Sequence, residues 1–366
     1  MTRRRAVWLK VLTVAVAFSL SGPPSAMALD FHAFADIQYR HDVHNDAAPE
    51  EDNGAFIIGP LDFYLAESLG PRVDVLAEFA FEDGGVDVER LQIGYLFSDL
   101  AKFSAGRYHT SLGYWNTAYH HGAFLYTTIE RPFFLDWEDD GGILPLHTVG
   151  LVLSGRQFPE SGEWSYHLMF GNGSSVTDEN GTNVLDPNTE SDPNKNKAVG
   201  FHLAWAPNVL DGWVLGLSGY NSEVENNGPL LVPPAVAPTL EVTQTIGAVD
   251  LTHTHGALEV LAEYFLVRDK DKIGADTATN QFYYVQIAYE IKDGIKPYAR
   301  HEQGSVDEGA NDPYMIALGA MDQRIDTIGV NTHIGEQSVL KIEGRFVTDD
   351  GTDHHQEYGA QWAFAF

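Results

Sequence analysis

The chain has 366 residues, of which 52 are acidic and 22 are Lys or Arg, so its formal net charge is −30 at pH 7. So acidic a chain is poorly suited to nucleic acid, because binding to phosphates depends on Lys and Arg. It contains no cysteine, which excludes a disulfide framework and the Cys-x-x-Cys-His attachment of c-type haem.

The N-terminal residues have the pattern of a secretory signal peptide. Four basic residues within positions 3–10 precede the apolar run 11–20, and Ala26-Met27-Ala28 follows it. We expect residues 1–28 to be removed, which takes away four positive charges and leaves residues 29–366 with a net charge of −34. The apolar run is shorter than the roughly 20 residues that span a bilayer, and no second run of that length occurs, so a helical inner-membrane protein is excluded.

Segments of about ten residues with apolar side chains at every second position fill the exported domain and are separated by turn residues. We predict 16 strands, with 18 as the alternative count, at residues 30–40, 54–66, 72–82, 86–97, 101–109, 147–157, 163–172, 196–205, 211–222, 243–254, 257–268, 279–291, 295–303, 322–334, 338–348 and 356–366. Short turns alternate with longer acidic loops. An even strand number with both ends on one side closes without an unpaired edge, which lipid requires. The predicted fold class is all-β, a transmembrane antiparallel β-barrel.

The period of two assigns one face of each strand to the outside and the other to the lumen. In the strand 72–82, Phe79 and Phe81 face outward, whereas Asp74 and Glu78 face inward. A polar interior suits a barrel of this size, which is wide enough for an aqueous channel. A soluble two-sheet sandwich would also alternate, but a second sheet would then cover one face and no aromatic girdle would be needed.

The segment 110–146, between the fifth and sixth predicted strands, is several times longer than an ordinary hairpin loop. Its apolar side chains include Trp115, Phe133, Phe134 and Trp137. Exposed apolar surface of this extent usually marks packing or an interface. We expect the segment either to fold inward onto the barrel wall or to dock on another subunit.

Charged residues alternate along two late strands. Arg300 and Glu302 share one face, and Lys341, Glu343 and Arg345 share another that we assign to the lumen. In a water-filled lumen such a ladder sets ion selectivity. The alternative is that these residues pair with charges on neighbouring strands.

The last predicted strand places Tyr358, Ala360, Trp362, Phe364 and Phe366 on one side. Apolar and aromatic residues at this period suit a strand with one face in lipid and its end in an aromatic girdle. Here the sequence resembles the bacterial outer-membrane β-barrel proteins, whose final strand commonly ends in Phe and serves as an assembly signal. The resemblance implies a location in the Gram-negative outer membrane.

Within that group, segment 110–146 is similar in position and length to the third extracellular loop of general porins, which enters the lumen and narrows it. The resemblance implies a constriction in which loop acids face basic wall residues. The candidate acids are Glu130, Asp136, Glu138, Asp139 and Asp140, and the candidate bases are Arg300, Lys341 and Arg345. Residues 139–142 and Arg131-Pro132 could equally be turn and packing devices. The strand 338–348 also resembles those of the phosphate-selective porins, and the general-porin resemblance implies a homotrimer.

The expected function is a passive diffusion channel for small hydrophilic solutes or ions, with weak cation preference because the lumen and loops are acidic overall. The expected partners are outer-membrane lipid and lipopolysaccharide, the solutes, and further copies of the chain, without nucleic acid or a cofactor. The alternative is a barrel that acts as a sheath or docking partner for a periplasmic protein such as a multihaem cytochrome.

Neither a metal site nor catalysis is expected. His120 and His121 are adjacent, so on an extended backbone they point to opposite sides and cannot chelate together. His109 and Ser111 lie close in the sequence, but neither Gly-x-Ser-x-Gly nor His-Glu-x-x-His occurs in the chain.

Overall fold

A computed structural model describes residues 30–44, 54–82, 85–119, 122–136, 142–179, 182–187, 195–225, 230–232, 235–237, 240–307, 312–351 and 353–366. The expected signal peptide, His120, His121, Glu138, Asp139 and Asp140 lie outside these residues.

The described strands, in chain order, are β1 (Asp30–His44), β2 (Ala55–Ile58), β3 (Leu61–Ser68), β4 (Val73–Glu82), β5 (Gly85–Ser98), β6 (Ala101–His109), β7 (His147–Gln157), β8 (Gly162–Gly171), β9 (Ser175–Glu179), β10 (Thr182–Asp186), β11 (Ala198–Pro207), β12 (Trp213–Glu225), β13 (Leu230–Val232), β14 (Ala235–Ala237), β15 (Glu241–His255), β16 (Leu258–Asp271), β17 (Thr277–Tyr289), β18 (Ile295–Ser305), β19 (Gln323–His333), β20 (Ser338–Asp349) and β21 (Asp353–Ala365). The hairpins β9–β10 and β13–β14 stand in loops, and the remaining strands form the wall.

The wall is a closed antiparallel barrel of 16 strands, because β2 and β3 both pair with β1 and are two parts of one wall strand. Closure occurs where β1 pairs with β21, in a register that runs from Phe34↔Ala365 to His44↔His355. The strand count, the antiparallel order and the third long loop predicted from the sequence are confirmed. The two loop hairpins are absent from the prediction, because their short segments lack a sustained alternation.

Short turns connect the strands at one end of the barrel, which we call the turn end; the opposite end is the loop end. Gly256, between β15 and β16, has φ 65°, and Gly294, between β17 and β18, has φ 77°. These left-handed conformations are readily adopted by glycine and strained for most other residues. The turn residues of the sequence therefore fix where consecutive strands reverse.

The outward face of the wall is apolar and carries aromatic residues with polar groups at its margin. The hydroxyl of Tyr264 donates to Gln281 (2.8 Å), and that of Tyr283 donates to Gln303 (3.0 Å). Amphipathic rings of this kind suit the boundary between a membrane and water. The barrel therefore presents an apolar band bordered by tyrosine hydroxyls.

Within the described residues, no helix is long and apolar enough to cross a membrane. Helix α1 (Trp115–Ala118) lies in the third loop, and helix α2 (Pro313–Leu318) lies between β18 and β19. The Asp312 carboxylate accepts the N–H groups of Tyr314 and Met315 and so caps α2. Both capped residues are buried and belong to the apolar core inside the barrel.

Candidate pore and constriction

The segment 110–146 connects β6 to β7, and its described residues lie inside the barrel. Its ends are joined where the Thr110 N–H donates to the Leu146 carbonyl (2.8 Å). The buried amide of Asn116 donates to both of those residues' carbonyls, at 2.8 and 2.9 Å. This neck fixes the point at which the loop enters the lumen, and the expectation that the segment folds inward is confirmed.

Three glutamates on the inner wall accept hydrogen bonds from the loop backbone. Glu263 on β16 accepts the N–H groups of Tyr114 and Trp115, each at 2.8 Å. Glu343 on β20 accepts the Ile129 N–H (2.8 Å), and Glu302 on β18 accepts the N–H of residue 133 (2.8 Å). Because a loop inside a barrel has few neighbours of its own, these carboxylates satisfy amides that would otherwise be buried without partners.

Two cations on the same wall hold loop carbonyls. The Arg300 guanidinium donates to the carbonyls of Glu130 and Arg131, each at 2.9 Å. The Lys341 ammonium donates to the carbonyls of Ala123 (2.5 Å) and Thr128 (2.7 Å). Together with the three glutamates, these cations attach the loop to β16, β18 and β20 through both kinds of backbone group. We call Glu263, Arg300, Glu302, Lys341 and Glu343 the anchor residues.

Four of the anchor residues are among the pore-lining candidates named from the sequence. Arg300, Glu302, Lys341 and Glu343 do face inward, but they are at most 4% exposed and lie beneath the loop. Arg300 and Glu302 also form an ion pair at 2.7 Å. Their partners include loop backbone groups and each other, and Glu343 in addition lines a cavity of about 100 Å³.

Apolar packing supplies the rest of the attachment. The rings of Trp115 and Tyr284 lie 5.8 Å apart, and Phe134 packs against Phe265 and Phe282 at 5.5 and 5.6 Å. These five side chains are completely buried, and each aromatic pair adds about 0.5–1.5 kcal/mol beyond the burial of its area. One sector of the barrel interior is thus filled by a hydrophobic core.

The predicted constriction acids are not gathered at one place among the described residues. Glu130 pairs with Arg40 of β1 (3.0 Å), and Asp136 ends the short 3₁₀ helix Phe133–Leu135. Arg345, the last predicted base, forms an ion pair with Glu357. Glu130 and Arg345 both line a cavity of about 100 Å³ on the side of the loop next to β1, β20 and β21. The other three predicted acids are outside the described residues.

A larger cavity, of about 640 Å³, lies against the inner faces of β4 to β8. It extends from Asp99 and Phe158 at the turn end to Ser111 in the third loop. We call the lining of this cavity on β4–β8 the open wall. Its side chains are mostly polar, and its charged members are Arg90, Lys102, Arg156 and Asp99.

A second cavity, of about 180 Å³, adjoins the first on the side of β1 and β3. Arg90, His109 and Thr117 line both cavities, so these three residues lie where the two meet. Thr117 belongs to α1, which is fixed to the far wall through Glu263. The loop thereby narrows the space between the two cavities, and its residue at this point, Thr117, is uncharged.

The open wall was not predicted from the sequence, although polar and apolar residues alternate along its strands. Lys102 and Ser104 face the cavity, whereas Phe103 is 41% exposed on the outside. The same alternation in β5 sets Arg90 and Gln92 inward against Leu91 and Ile93. Alternation indicates that these side chains face inward, but it does not indicate that they line a cavity.

No family model and no curated protein matches the chain, whereas several solved structures do. An anion-selective porin from Comamonas acidovorans is 11% identical, with a TM-score of 0.62 over 93% of this chain and 99% of that chain. OmpT, an outer membrane protein of Vibrio cholerae in its trimer form, is 12% identical, with a TM-score of 0.59 over 92% and 99%. Salmonella typhi OmpF is 12% identical, with a TM-score of 0.55 over 92% and 97%. The chain therefore has the fold of the porin-type outer-membrane β-barrels.

Proposed function

We propose that this protein is an outer-membrane channel through which small hydrophilic solutes diffuse passively, without a chemical step. The observation that carries the proposal is the polar cavity along β4–β8, which the third loop leaves open while it fills the opposite sector. In a barrel of this size, an inward loop leaves a narrowed aqueous path and so converts a wide cylinder into a size filter.

The weak cation preference remains a prediction that rests on the acidity of the chain. Near the loop end, Lys272 lies within 4 Å of three carboxylates, those of Glu223, Glu225 and Glu241. Such an excess concentrates cations at the mouth, although salt screens it beyond roughly 8–10 Å.

We also propose a homotrimer, supported by the trimer form named for the similar Vibrio cholerae protein. The outward apolar face would then be shared between lipid and neighbouring subunits. The third loop is not required for such an interface, because in the described residues its large aromatic side chains pack inside the same barrel.

The alternative of a sheath around a periplasmic protein has less support. The loop already fills one sector, and the cavity along β4–β8, about 640 Å³, has the size of a small-molecule site. A docking role for the outer surface would leave the lumen unexplained.

The test is conductance of the purified, folded protein in a planar bilayer under a salt gradient. Stable current steps are the expected result, and their reversal potential reports the ion preference. The matched control is the same preparation after heat unfolding. A folded barrel that carries no current would overturn the channel proposal.

A further inference from the structure

We infer that Arg90, at the junction of the two cavities, binds small carboxylate solutes as they pass through the lumen. The inference rests on the proposed channel function and names the solute class that its path favours.

Arg90 is held in one orientation by two contacts. Its Nε donates to Glu78 (2.5 Å), and its guanidinium lies 5.5 Å from the centre of the Tyr64 ring. The Glu78 side chain is 3% exposed and that of Arg90 is 19% exposed. A guanidinium that is paired at one edge and stacked on a ring loses little further freedom when it binds a ligand.

The rest of the guanidinium is available to a solute. The ion pair uses Nε, and among the described residues the terminal Nη groups have no hydrogen-bond acceptor. Arg90 lines both cavities, so these donors face accessible space. The planar fork of an arginine matches the two oxygens of a carboxylate.

Cations outnumber carboxylates around the larger cavity, whereas Glu78 lines the smaller one beside Arg90. The larger cavity is lined by three cations, Arg90, Lys102 and Arg156, and by one carboxylate, Asp99. Lys102 is paired with Asp74 (2.7 Å), whereas Arg156 is 70% exposed and 4.0 Å from Glu163. From the loop, the residues that line the two cavities are uncharged: Ser111, Thr117, Ala118 and Leu125.

This arrangement separates solute binding from overall ion preference. An acidic mouth can enrich small cations while a single guanidinium deeper in the lumen retains carboxylates. For transport, the affinity of such a site must be high enough to bind the solute and low enough to release it. One solvent-accessible Arg, partly neutralised by Glu78, meets that requirement better than a closed cluster of cations would.

The experiment measures current in potassium succinate for the wild-type protein, Arg90→Lys and the double variant Glu78→Gln/Arg90→Gln. The double variant removes both charges, because Arg90→Gln alone would leave Glu78 buried without its partner. We expect wild-type conductance to saturate with succinate concentration, and the half-saturating concentration to rise by about tenfold in the double variant. Arg90→Lys, which keeps the charge but loses the fork, should fall between them.

The matched control is Arg324→Gln, which removes an arginine that is 57% exposed on β19 and paired with Asp326. Its succinate saturation should equal that of the wild type. Equal saturation in the wild type and the double variant, or an equally large change in the control, would overturn the inference.

A second measurement separates this inference from the channel proposal. If the wild-type barrel carries no current, the channel proposal fails, and calorimetric titration of succinate into the folded, detergent-solubilised proteins then decides the site. Binding that is lost in the double variant supports the Arg90 site. Absence of wild-type binding rejects it.

Discussion

The two sides of the barrel interior carry the same alternation of polar and apolar residues but use their charges differently. On β16, β18 and β20, the anchor residues are buried and bonded to the third loop. On the open wall, Arg90 and Lys102 are paired with neighbouring carboxylates and line a cavity. A charge that faces inward is therefore not necessarily a charge that faces the pore.

The difference follows from where the loop has backbone groups to satisfy. A buried N–H or carbonyl without a partner costs free energy comparable to a lost hydrogen bond. The described part of the loop has only short helical segments, so its backbone groups depend on wall side chains for partners. Glutamates accept hydrogen bonds from the loop N–H groups, and Arg300 and Lys341 donate hydrogen bonds to the loop carbonyls.

The largest test of the comparison is Arg300→Ala. The substitution leaves Glu302 buried without its ion-pair partner and removes the donor to two loop carbonyls. We expect the free energy of unfolding to fall by about 3–5 kcal/mol. The measurement is urea unfolding followed by tryptophan fluorescence. The control is Arg156→Ala on the open wall, where a pair with exposed side chains should change stability by no more than about 0.5 kcal/mol. Similar losses for both variants would erase the distinction between the two sides.

Glu263→Gln sharpens the same comparison with a smaller change. In the wild type, the Glu263 carboxylate accepts hydrogen bonds from the Tyr114 and Trp115 N–H groups and from the Tyr284 hydroxyl. The glutamine amide has only one acceptor oxygen, so it cannot accept all three. We expect a cost of about 1–3 kcal/mol, together with faster hydrogen exchange in the loop around α1. Unchanged exchange there would show that apolar packing alone holds this part of the loop.

Single cysteines can map which side meets water, because the chain has none of its own. Ser154→Cys on the open wall should react with a charged, membrane-impermeant thiol reagent and reduce the current. Thr327→Cys, at an inward position on β19 that is 1% exposed, should react slowly and leave the current unchanged. Rapid reaction at position 327 would indicate that the loop leaves that wall.

The smallest expected effect concerns the loop acids predicted from the sequence. Neutralising Glu138, Asp139 and Asp140 together should reduce cation selectivity by removing negative charge from the loop. The reversal potential under a salt gradient measures the change, and salt screening beyond roughly 8–10 Å keeps it small. An unchanged potential would reject these three residues as selectivity determinants.

The sequence was sufficient to predict the barrel because its information is local and repeated. The period of two in β4, β16 and β17, the turn residues between strands and the aromatic last strand all indicated the same fold. The structure extends several strands by a few residues and divides one wall strand at Gly59 and Pro60. Proline lacks the N–H that a continuous ladder requires.

The candidate site was harder to predict because it depends on contacts between distant parts of the chain. Alternation placed Lys341 and Glu343 inward, as the structure has them, but it could not show that residues 123–129 would cover them. Likewise, Arg90 acquires its role only when Tyr64, Glu78 and the loop helix come together. A period of two gives the face of a side chain and not what lies against that face.

The seam between β1 and β21 has a consequence for assembly. The backbone groups of Ala33 and Phe366 exchange two hydrogen bonds, each 2.9 Å long, although these residues lie near opposite ends of the described chain. Contacts of such large sequence separation form late and slowly. Until the seam is made, both outer strands present unpaired edges beside apolar faces, a combination that promotes aggregation. A chain with this topology therefore needs protection from aggregation until the seam has closed.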